Sequence, residues 1–222
     1  MKASLDTNVL IHLYSADKQS LLFDFFEDGV LMYEQIRNVE LNNHGQVVLA
    51  DIDKDIAEGK IHVYTDIELK TLGVFTMFKE RVKETKILYN SGDMGEVYAI
   101  ALAQTIGAMS LVTDDTKVGG PYMSLLHFDD DGVMPFNFAD IVILSYIAEK
   151  FDVGESVDIF NSINETSKLN WSYLSQVKKF IKRFWKEPYQ QSEKQWIVKY
   201  CEKYGVDLGK KIKELVKVLK AG

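Results

Sequence analysis

The chain has 222 residues, of which 46% are hydrophobic and 27% charged, and only three are prolines. This composition is typical of a folded globular protein and excludes a disordered chain. The single cysteine, Cys201, excludes an internal disulfide and a cysteine-based zinc site, and it favours a reducing compartment. Asp6 interrupts the N-terminal apolar run and no later run could span a bilayer. We therefore expect a cytoplasmic protein with no signal peptide and no membrane partner.

The net charge of −7 conceals an uneven distribution. Residues 1–167 carry 12 Lys and Arg against 28 Asp and Glu, a net charge of −16, whereas residues 168–222 carry 14 against 5, a net charge of +9. An asymmetry of this size suggests two regions with different functions.

Five short apolar runs predict strands, and the segments between them show helical periodicity. The predicted strands cover residues 3–5, 29–33, 61–64, 109–113 and 133–136. The main helices expected between and after them cover residues 20–27, 36–41, 46–56, 67–86 (capped by Asp66), 93–104 and 140–151. Strands that alternate with helices predict an α/β fold in three layers, with a central parallel sheet of about five strands between helices.

The pattern changes beyond Gly154, where no strand signal remains. Apolar residues recur there every three or four positions, which predicts one helix after Trp171 and another from Ser192 to a stop at Gly205. Asp207 is placed to cap a last helix. We therefore predict a domain over residues 1–151 and an α-helical C-terminal extension over residues 152–222.

Acidic residues fall at corresponding places along the predicted sheet. Asp6 ends the first strand, and Asp114 and Asp115 follow the fourth. Glu40 lies early in the helix after the second strand, and Glu96 begins the Ala-rich helix before the fourth. Ligands of open α/β sheets bind at the carboxyl ends of the strands, which makes these residues candidates for a site. Asp6 alone is read equally well as a helix N-cap, and Glu96 joins the others only if its helix starts at the same edge.

Carboxylates that converge repel one another, and removing them from water costs free energy. A hard cation neutralises such a cluster, and oxygen ligands without His or Cys indicate Mg²⁺ or Mn²⁺. A site of this kind suits phosphodiester hydrolysis, because the metal activates water and stabilises charge on the phosphate. The sequence leaves open whether one ion or two is bound.

Four motifs, by their order and spacing, resemble the PIN-domain family: LDTNVLI at the N-terminus, then RNVEL, SGDMGEVYAIALA and LVTDD. The resemblance covers roughly residues 1–148 and implies a Mg²⁺- or Mn²⁺-dependent nuclease that acts mostly on RNA. It also implies an acidic quartet of Asp6, Glu40, Glu96 and Asp115, with Asn8 and Thr113 as polar supports. Many members are toxins of toxin–antitoxin pairs, so an antitoxin protein and a second copy of the chain are implied as partners.

Several assignments remain open at this stage. Glu34 competes with Glu40, and Asp93 competes with Glu96, although RNVEL and the Gly-Glu pair fit the resemblance better. Asp114 and Asp115 cannot be separated. A phosphatase of another α/β family would need Asp where Asn8 stands. A catalytically idle module that serves as a binding or assembly platform is the main alternative function.

The remaining candidates are basic or loop residues. The segment 172–186 places the basic residues Lys178, Lys179, Lys182 and Arg183 among aromatic ones, a composition that suits RNA binding. An amphipathic helix with buried aromatics and solvated lysines explains the same pattern. Gly119 and Gly120 suggest a flexible loop beside the site, and residues 129–131 a solvated acidic turn. The histidines, His12 among them, show no metal-ligand spacing.

Overall fold

The computed structural model describes residues 1–89, 94–127 and 132–221. Within these residues the chain forms a five-stranded, all-parallel sheet flanked by helices, the three-layer α/β/α fold that the sequence predicts. Each strand begins and ends within one residue of its predicted bounds. The strands are β1 (Ala3–Leu5), β2 (Val30–Tyr33), β3 (Ile61–Tyr64), β4 (Ser110–Val112) and β5 (Met134–Phe136).

The strand order β3-β2-β1-β4-β5 puts β1 at the centre of the sheet. Leu5 of β1 pairs with Val112 of β4, and Ser4 pairs with Leu31 of β2. The chain winds outward from β1 to β3 and then crosses to β4, so the direction of winding reverses between β1 and β4. In open α/β sheets this reversal opens a crevice at the carboxyl ends of the strands, where ligands bind.

The helices of the sheet region are α1 (Thr7–Ser15), α2 (Ser20–Phe25), α3 (Leu41–His44), α4 (Leu49–Ala57), α5 (Asp66–Thr71), α6 (Phe75–Tyr89), α7 (Met94–Ile106) and α8 (Pro121–His127). A π-helical segment, Ile36–Glu40, leads directly into α3. The Ala-rich α7 packs on β1, β2 and β4. Its small side chains are buried, which explains why alanine is so frequent there.

Four helix predictions in this region were wrong. The helix expected over residues 67–86 is two helices, because Gly73 adopts a positive φ of 73° between them. Thr65 rather than Asp66 caps the first of these, since the Thr65 hydroxyl accepts a hydrogen bond from the Glu68 amide at 3.1 Å. The helix expected from residue 46 begins at Leu49. A further helix, α8, begins at Pro121, where only a loop was expected.

The C-terminal region is helical, as predicted. Gly205, in the left-handed conformation, ends one helix, and Asp207 accepts a hydrogen bond from the Lys210 amide at 2.9 Å to cap the next. The helices are α9 (Phe138–Ile147), α10 (Val153–Thr166), α11 (Tyr173–Ile181), α12 (Gln191–Tyr204) and α13 (Leu208–Ala221), with a π-helical segment, Lys182–Lys186, after α11. No helix among the described residues has the length and apolar character needed to cross a membrane.

The chain divides into two compact units, unit 1 (Met1–Phe138) and unit 2 (Ala139–Gly222). All of α9 beyond its first residue therefore groups with the C-terminal helices, whereas the sequence pattern had assigned it to the sheet domain. Hydrogen bonds explain the difference, because the Tyr146 hydroxyl of α9 donates to the Glu214 carboxylate of α13 at 2.9 Å. The Tyr200 hydroxyl of α12 likewise donates to the Leu144 carbonyl of α9 at 3.0 Å.

The capping assignment at the start of α5 can be tested by substitution. Thr65→Ala removes the side-chain oxygen that accepts from the Glu68 amide, and we expect it to lower the free energy of unfolding by about 1 kcal/mol. Thr65→Ser keeps the hydroxyl and is the matched control. The measurement is urea unfolding followed by circular dichroism. Equal losses in the two variants would contradict the assignment.

Candidate functional site

Asp6 lies at the carboxyl end of the central strand and is almost completely buried. Its Oδ1 accepts a hydrogen bond from the Thr7 amide at 2.7 Å, so Asp6 does cap α1. Its Oδ2 accepts a second hydrogen bond from the Thr113 hydroxyl at 3.0 Å. Because Leu5 and Val112 are partners in the sheet, Asp6 and Thr113 leave neighbouring strands at the same level. The cap reading and the site reading of Asp6 are therefore compatible.

Thr113 also holds the start of the loop that follows β4. Its hydroxyl oxygen accepts a hydrogen bond from the Asp115 amide at 3.2 Å, so one buried hydroxyl connects Asp6 to Asp115. The Asp115 carboxylate binds Lys117 twice, through the backbone amide at 3.2 Å and through Nζ at 2.5 Å. The resemblance implied that Thr113 supports the acidic residues, and its hydrogen bond to the Asp6 carboxylate is consistent with that role.

Gly120 lies against the Asp115 side chain. A Cβ atom at this position would lie 2.8 Å from Asp115 Oδ1, which is closer than real Cβ contacts. A side chain at residue 120 would therefore displace the Asp115 carboxylate, whereas Gly119 adopts a positive φ of 82°, which favours glycine. Both glycines shape the turn that presents Lys117 to Asp115. Pro121 follows at the first position of α8, where its fixed φ suits a helix start.

Asp114 differs from Asp115 in the partners of its carboxylate. Oδ1 accepts a hydrogen bond from the Phe138 amide at the start of α9, at 2.9 Å. Oδ2 lies 2.7 Å from Nδ1 of His12 on α1. The Asp114 side chain is only 1% exposed, and both oxygens are used in structural contacts. No local sequence pattern indicates the His12 contact, since the two residues are 102 positions apart.

Glu96 lies in the first turn of α7 and is buried. Tyr98, two residues further along α7, locates the start of this helix relative to the strand ends. The centroid of the Tyr98 ring lies 5.0 Å from that of the Tyr33 ring. Tyr33 is the last residue of β2, so α7 begins at the carboxyl edge of the sheet. The condition on which the sequence prediction for Glu96 depended is therefore met.

Glu40 is half-buried and ends the π-helical segment, which packs against α7. Burial raises the pKa of the Tyr98 hydroxyl, and the charges of Glu40 and Asp66 raise it further. Glu40 therefore lies within electrostatic reach of the start of α7. Short π-helical segments inside helices are frequent at functional sites.

Glu34, the alternative to Glu40, has a structural contact. Its Oε1 accepts a hydrogen bond from the Asp66 amide at the start of α5, at 2.9 Å. The Tyr33 hydroxyl donates to the Asp66 carboxylate at 2.5 Å, and burial together with this hydrogen bond raises the pKa of Tyr33. Glu34 thus belongs to the contacts that join β2 to α5.

Of the other predicted residues, one lies in α1 and the rest lie outside the described residues. Asn8 is half-buried in the first turn of α1, and its side chain makes no hydrogen bond with any described residue. Asp93, the alternative to Glu96, lies outside the described residues, as does the acidic run 129–131.

Oxygen donors that suit Mg²⁺ or Mn²⁺ lie at this edge of the sheet, in Asp6, Glu96 and Asp115. In residues 1–89, 94–127 and 132–221, however, no three His, Cys, Asp or Glu side chains are grouped closely enough to hold a metal ion. Asp115 already binds a cation of the chain itself, the Lys117 ammonium group. The donor chemistry suits a hard divalent cation, but the described side chains are not grouped to hold one, and Asp115 is paired with Lys117 instead.

The basic segment of unit 2 was predicted in part wrongly. Arg183 cannot contact RNA from the surface, because its side chain is only 3% exposed and its Nε donates to Glu193 Oε1 at 2.8 Å. Its Nη1 lies 3.3 Å from Asp140 Oδ2, which completes a buried ionic cluster. Burial raises the pKa of Glu193, although the Arg183 charge opposes this.

The other residues of this segment divide by exposure. The lysines proposed for RNA are exposed: Lys178, Lys179 and Lys182. The aromatic residues Tyr173, Phe180 and Phe184 are buried, as the amphipathic-helix reading expects, whereas Trp185 is 40% exposed. The buried aromatic residues and exposed lysines follow the amphipathic-helix interpretation, and RNA binding by the lysines stays a prediction.

The different contacts of Asp114 and Asp115 predict different effects on stability. Asp114→Ala leaves a buried amide and a half-buried imidazole without their partner, and we expect a loss of about 2–3 kcal/mol in the free energy of unfolding. Asp115→Ala removes an ion pair to an exposed lysine and should cost less than about 1 kcal/mol. Urea unfolding of the two variants measures the difference, and losses of equal size would contradict these roles.

Comparisons with known proteins found no family model, no curated protein and no solved structure that matches this chain. The resemblance to PIN domains therefore depends on the four sequence motifs alone.

Proposed function

We propose that the chain is a metal-dependent nuclease that hydrolyses phosphodiester bonds of RNA at the carboxyl edge of the sheet. The observation that carries this proposal is the buried connection from Asp6 through Thr113 to Asp115, located where the winding of the sheet reverses. Glu96 belongs to the same edge, since α7 begins there. Acidic side chains at this position in an open α/β sheet suit catalysis better than structural support.

Asp6, Glu96 and Asp115 are the residues that would hold Mg²⁺ or Mn²⁺. When bound, such an ion lowers the pKa of water and stabilises charge on the attacked phosphate. Thr113 supports this arrangement by fixing the Asp6 carboxylate, whose two oxygens already accept hydrogen bonds in the described structure. We place Asp115 rather than Asp114 in the proposed ligand set, because the Asp115 amide is held by Thr113, the residue that also binds Asp6, whereas the Asp114 carboxylate contacts His12 and the Phe138 amide.

In the proposed reaction, a carboxylate of the chain accepts a proton and Lys117 provides positive charge near the substrate. A carboxylate of the edge accepts the proton of the attacking water as its oxygen bonds to phosphorus. The bond from phosphorus to the 3′ oxygen breaks, and this oxygen takes a proton from solvent water, which leaves a 5′-phosphate and a 3′-hydroxyl. Lys117 has a side chain that is 74% exposed, so it can turn from Asp115 toward a substrate phosphate. Glu40 contributes further negative charge beside α7.

A second proposal is a catalytically idle module that serves as a binding or assembly platform. The observation in its favour is the Asp115–Lys117 ion pair, which neutralises one carboxylate of the edge within the chain itself. The described part of the chain also contains no ready group of three metal-binding side chains. The nuclease remains the leading proposal, since Asp6, Glu96 and Asp115 all belong to the sheet edge at which ligands of open α/β folds bind.

The resemblance to PIN domains extends the leading proposal to partners. It suggests an RNA substrate, an antitoxin protein that inhibits the site and a second copy of the chain in a homodimer. Each of these three partners is itself a proposal, and each needs a test other than the cleavage assay. Co-expression with a candidate antitoxin addresses regulation, whereas cleavage by the purified chain addresses the activity.

Cleavage of labelled RNA tests the leading proposal. The wild-type chain should cleave single-stranded RNA with Mg²⁺ or Mn²⁺ and not with EDTA. Asp6→Asn keeps the shape of the side chain and removes its charge, so we expect the rate to fall by at least about 100-fold while the fold is retained. The matched control is Asp17→Asn, which makes the same change at an exposed position and should leave the rate unchanged.

Circular dichroism of each variant establishes that the fold is intact. Full metal-dependent activity in Asp6→Asn would contradict the proposed site. No cleavage by folded wild-type chain, with either metal, would favour the idle module instead.

A further inference from the structure

Helix α13 carries a row of lysines on one face. Lys210, Lys213 and Lys217 are three and four positions apart, so they lie along one side of the helix. All three are exposed, and none forms an ion pair with a described residue. Lys211, by contrast, is neutralised by Glu149, with Nζ 2.8 Å from Oε1. The row is therefore a line of exposed ammonium groups about 10 Å long, at about 1.5 Å per residue. Glu149, Asp207 and Glu214 line the same cavity, so part of this positive charge is balanced nearby.

An apolar groove lies beside the start of the same helix. It has a volume of about 340 Å³ and is lined by Trp185, Ile197, Val198 and Cys201 among other residues. Trp185 and Val198 are 40% and 50% exposed, respectively, so an aromatic ring and an aliphatic side chain face solvent there. Gly209 lets the Trp185 ring approach α13, because a Cβ at this position would lie 3.2 Å from Trp185 Cη2.

The groove is continuous with the cavity that the lysines line. Gly205 and Val206, between α12 and α13, border both of them. The lysine-lined cavity has a volume of about 710 Å³ and contains Lys210, Lys213 and Lys217. Residues 191–221 carry eight lysines against four Asp and Glu, a net charge of +4. One continuous surface therefore combines an exposed aromatic ring with a row of ammonium groups.

We propose that this surface of α12 and α13 binds single-stranded nucleic acid. The phosphates contact Lys210, Lys213 and Lys217, and a base stacks on Trp185 in the groove. Proteins that bind single strands without sequence preference combine these two features, a positive track for the backbone and aromatic side chains for the bases. We choose RNA over DNA on the strength of the proposed function, on which that part of the inference rests.

The surface fits a nucleic acid better than an acidic peptide. A peptide made of acidic residues alone would satisfy the lysines, but it has no apolar side chain to cover Trp185 and Val198. A nucleotide supplies both a phosphate and a flat base, and so it matches both parts of the surface. The acidic unit 1, with 11 Lys and Arg against 22 Asp and Glu, offers no comparable excess of positive charge.

Fluorescence anisotropy with the full chain tests the inference. The probe is labelled single-stranded RNA about 12 nucleotides long, in EDTA so that no metal-dependent cleavage occurs. The test variant is Lys210→Gln/Lys213→Gln/Lys217→Gln. The matched control is Lys79→Gln/Lys83→Gln/Lys86→Gln, which removes the same charge from three exposed lysines along one side of α6.

We expect the test variant to bind at least about tenfold more weakly than the wild type, and the control to bind within about twofold of it. The slope of the logarithm of the binding constant against the logarithm of the salt concentration should become less steep by about 2. This follows because each phosphate contact to a single strand contributes about 0.7 to that slope. Equal weakening in the test and control variants would overturn the inference, since it would mean that binding follows net charge alone.

The groove is tested separately. Trp185→Leu removes the aromatic face, and we expect binding to weaken about tenfold without a change in the salt slope. Val198→Glu places a negative charge in the exposed part of the groove and should also weaken binding. If both variants bind like the wild type, the base is not held in the groove and the inference fails.

Competing ligands identify the class of molecule. Single-stranded DNA of the same sequence should compete, duplex RNA should compete poorly, and poly-glutamate should not compete at matched charge. Effective competition by poly-glutamate would mean that the partner is an acidic peptide and would overturn the inference. Binding in EDTA together with no cleavage in Mg²⁺ or Mn²⁺ would support this surface while contradicting the nuclease, so the two failures are distinguishable.

Discussion

The hydrogen bond from the Thr113 hydroxyl to the Asp6 carboxylate is the interaction on which the candidate site depends. It joins the ends of β1 and β4, the two strands between which the winding of the sheet reverses. The same carboxylate caps α1 through the Thr7 amide, and the same hydroxyl holds the Asp115 amide. A buried polar network of this kind fixes geometry only while its members are satisfied. Asp6 therefore combines a structural role with the role proposed for it in catalysis.

The sequence predicted the sheet well because each strand is a short apolar run whose ends are marked by polar residues or glycine. Helix boundaries were less predictable, since they depend on single residues. The apolar periodicity predicted one continuous helix, which Gly73 divides into α5 and α6. Thr65 caps α5, one position before the predicted cap Asp66. Pro121 did carry a signal for α8, because proline is favoured at the first helical position. The grouping of α9 with unit 2 depends on side-chain contacts between distant helices, such as that of Tyr146.

The candidate site was predictable in position but not in detail. Asp6 and Thr113 follow from strand ends, which a sequence marks clearly. The sequence could not separate Asp114 from Asp115, because their roles depend on which way each side chain turns after the strand and on partners far along the chain. Arg183 looked like a surface residue for the same reason, since its buried partners come from two other helices of unit 2. Long-range ion pairs of this kind leave no local pattern.

The central claim is that the sheet edge holds a divalent cation in place of the Lys117 ammonium group. Crystals of the full chain soaked in Mn²⁺ and measured at an anomalous wavelength test it most directly. The account predicts one or two Mn²⁺ peaks bound by Asp6, Glu96 and Asp115, with Lys117 turned away from the carboxylate that it binds in the present structure. No Mn²⁺ peak at this edge, with the Asp115–Lys117 ion pair intact, would contradict the account.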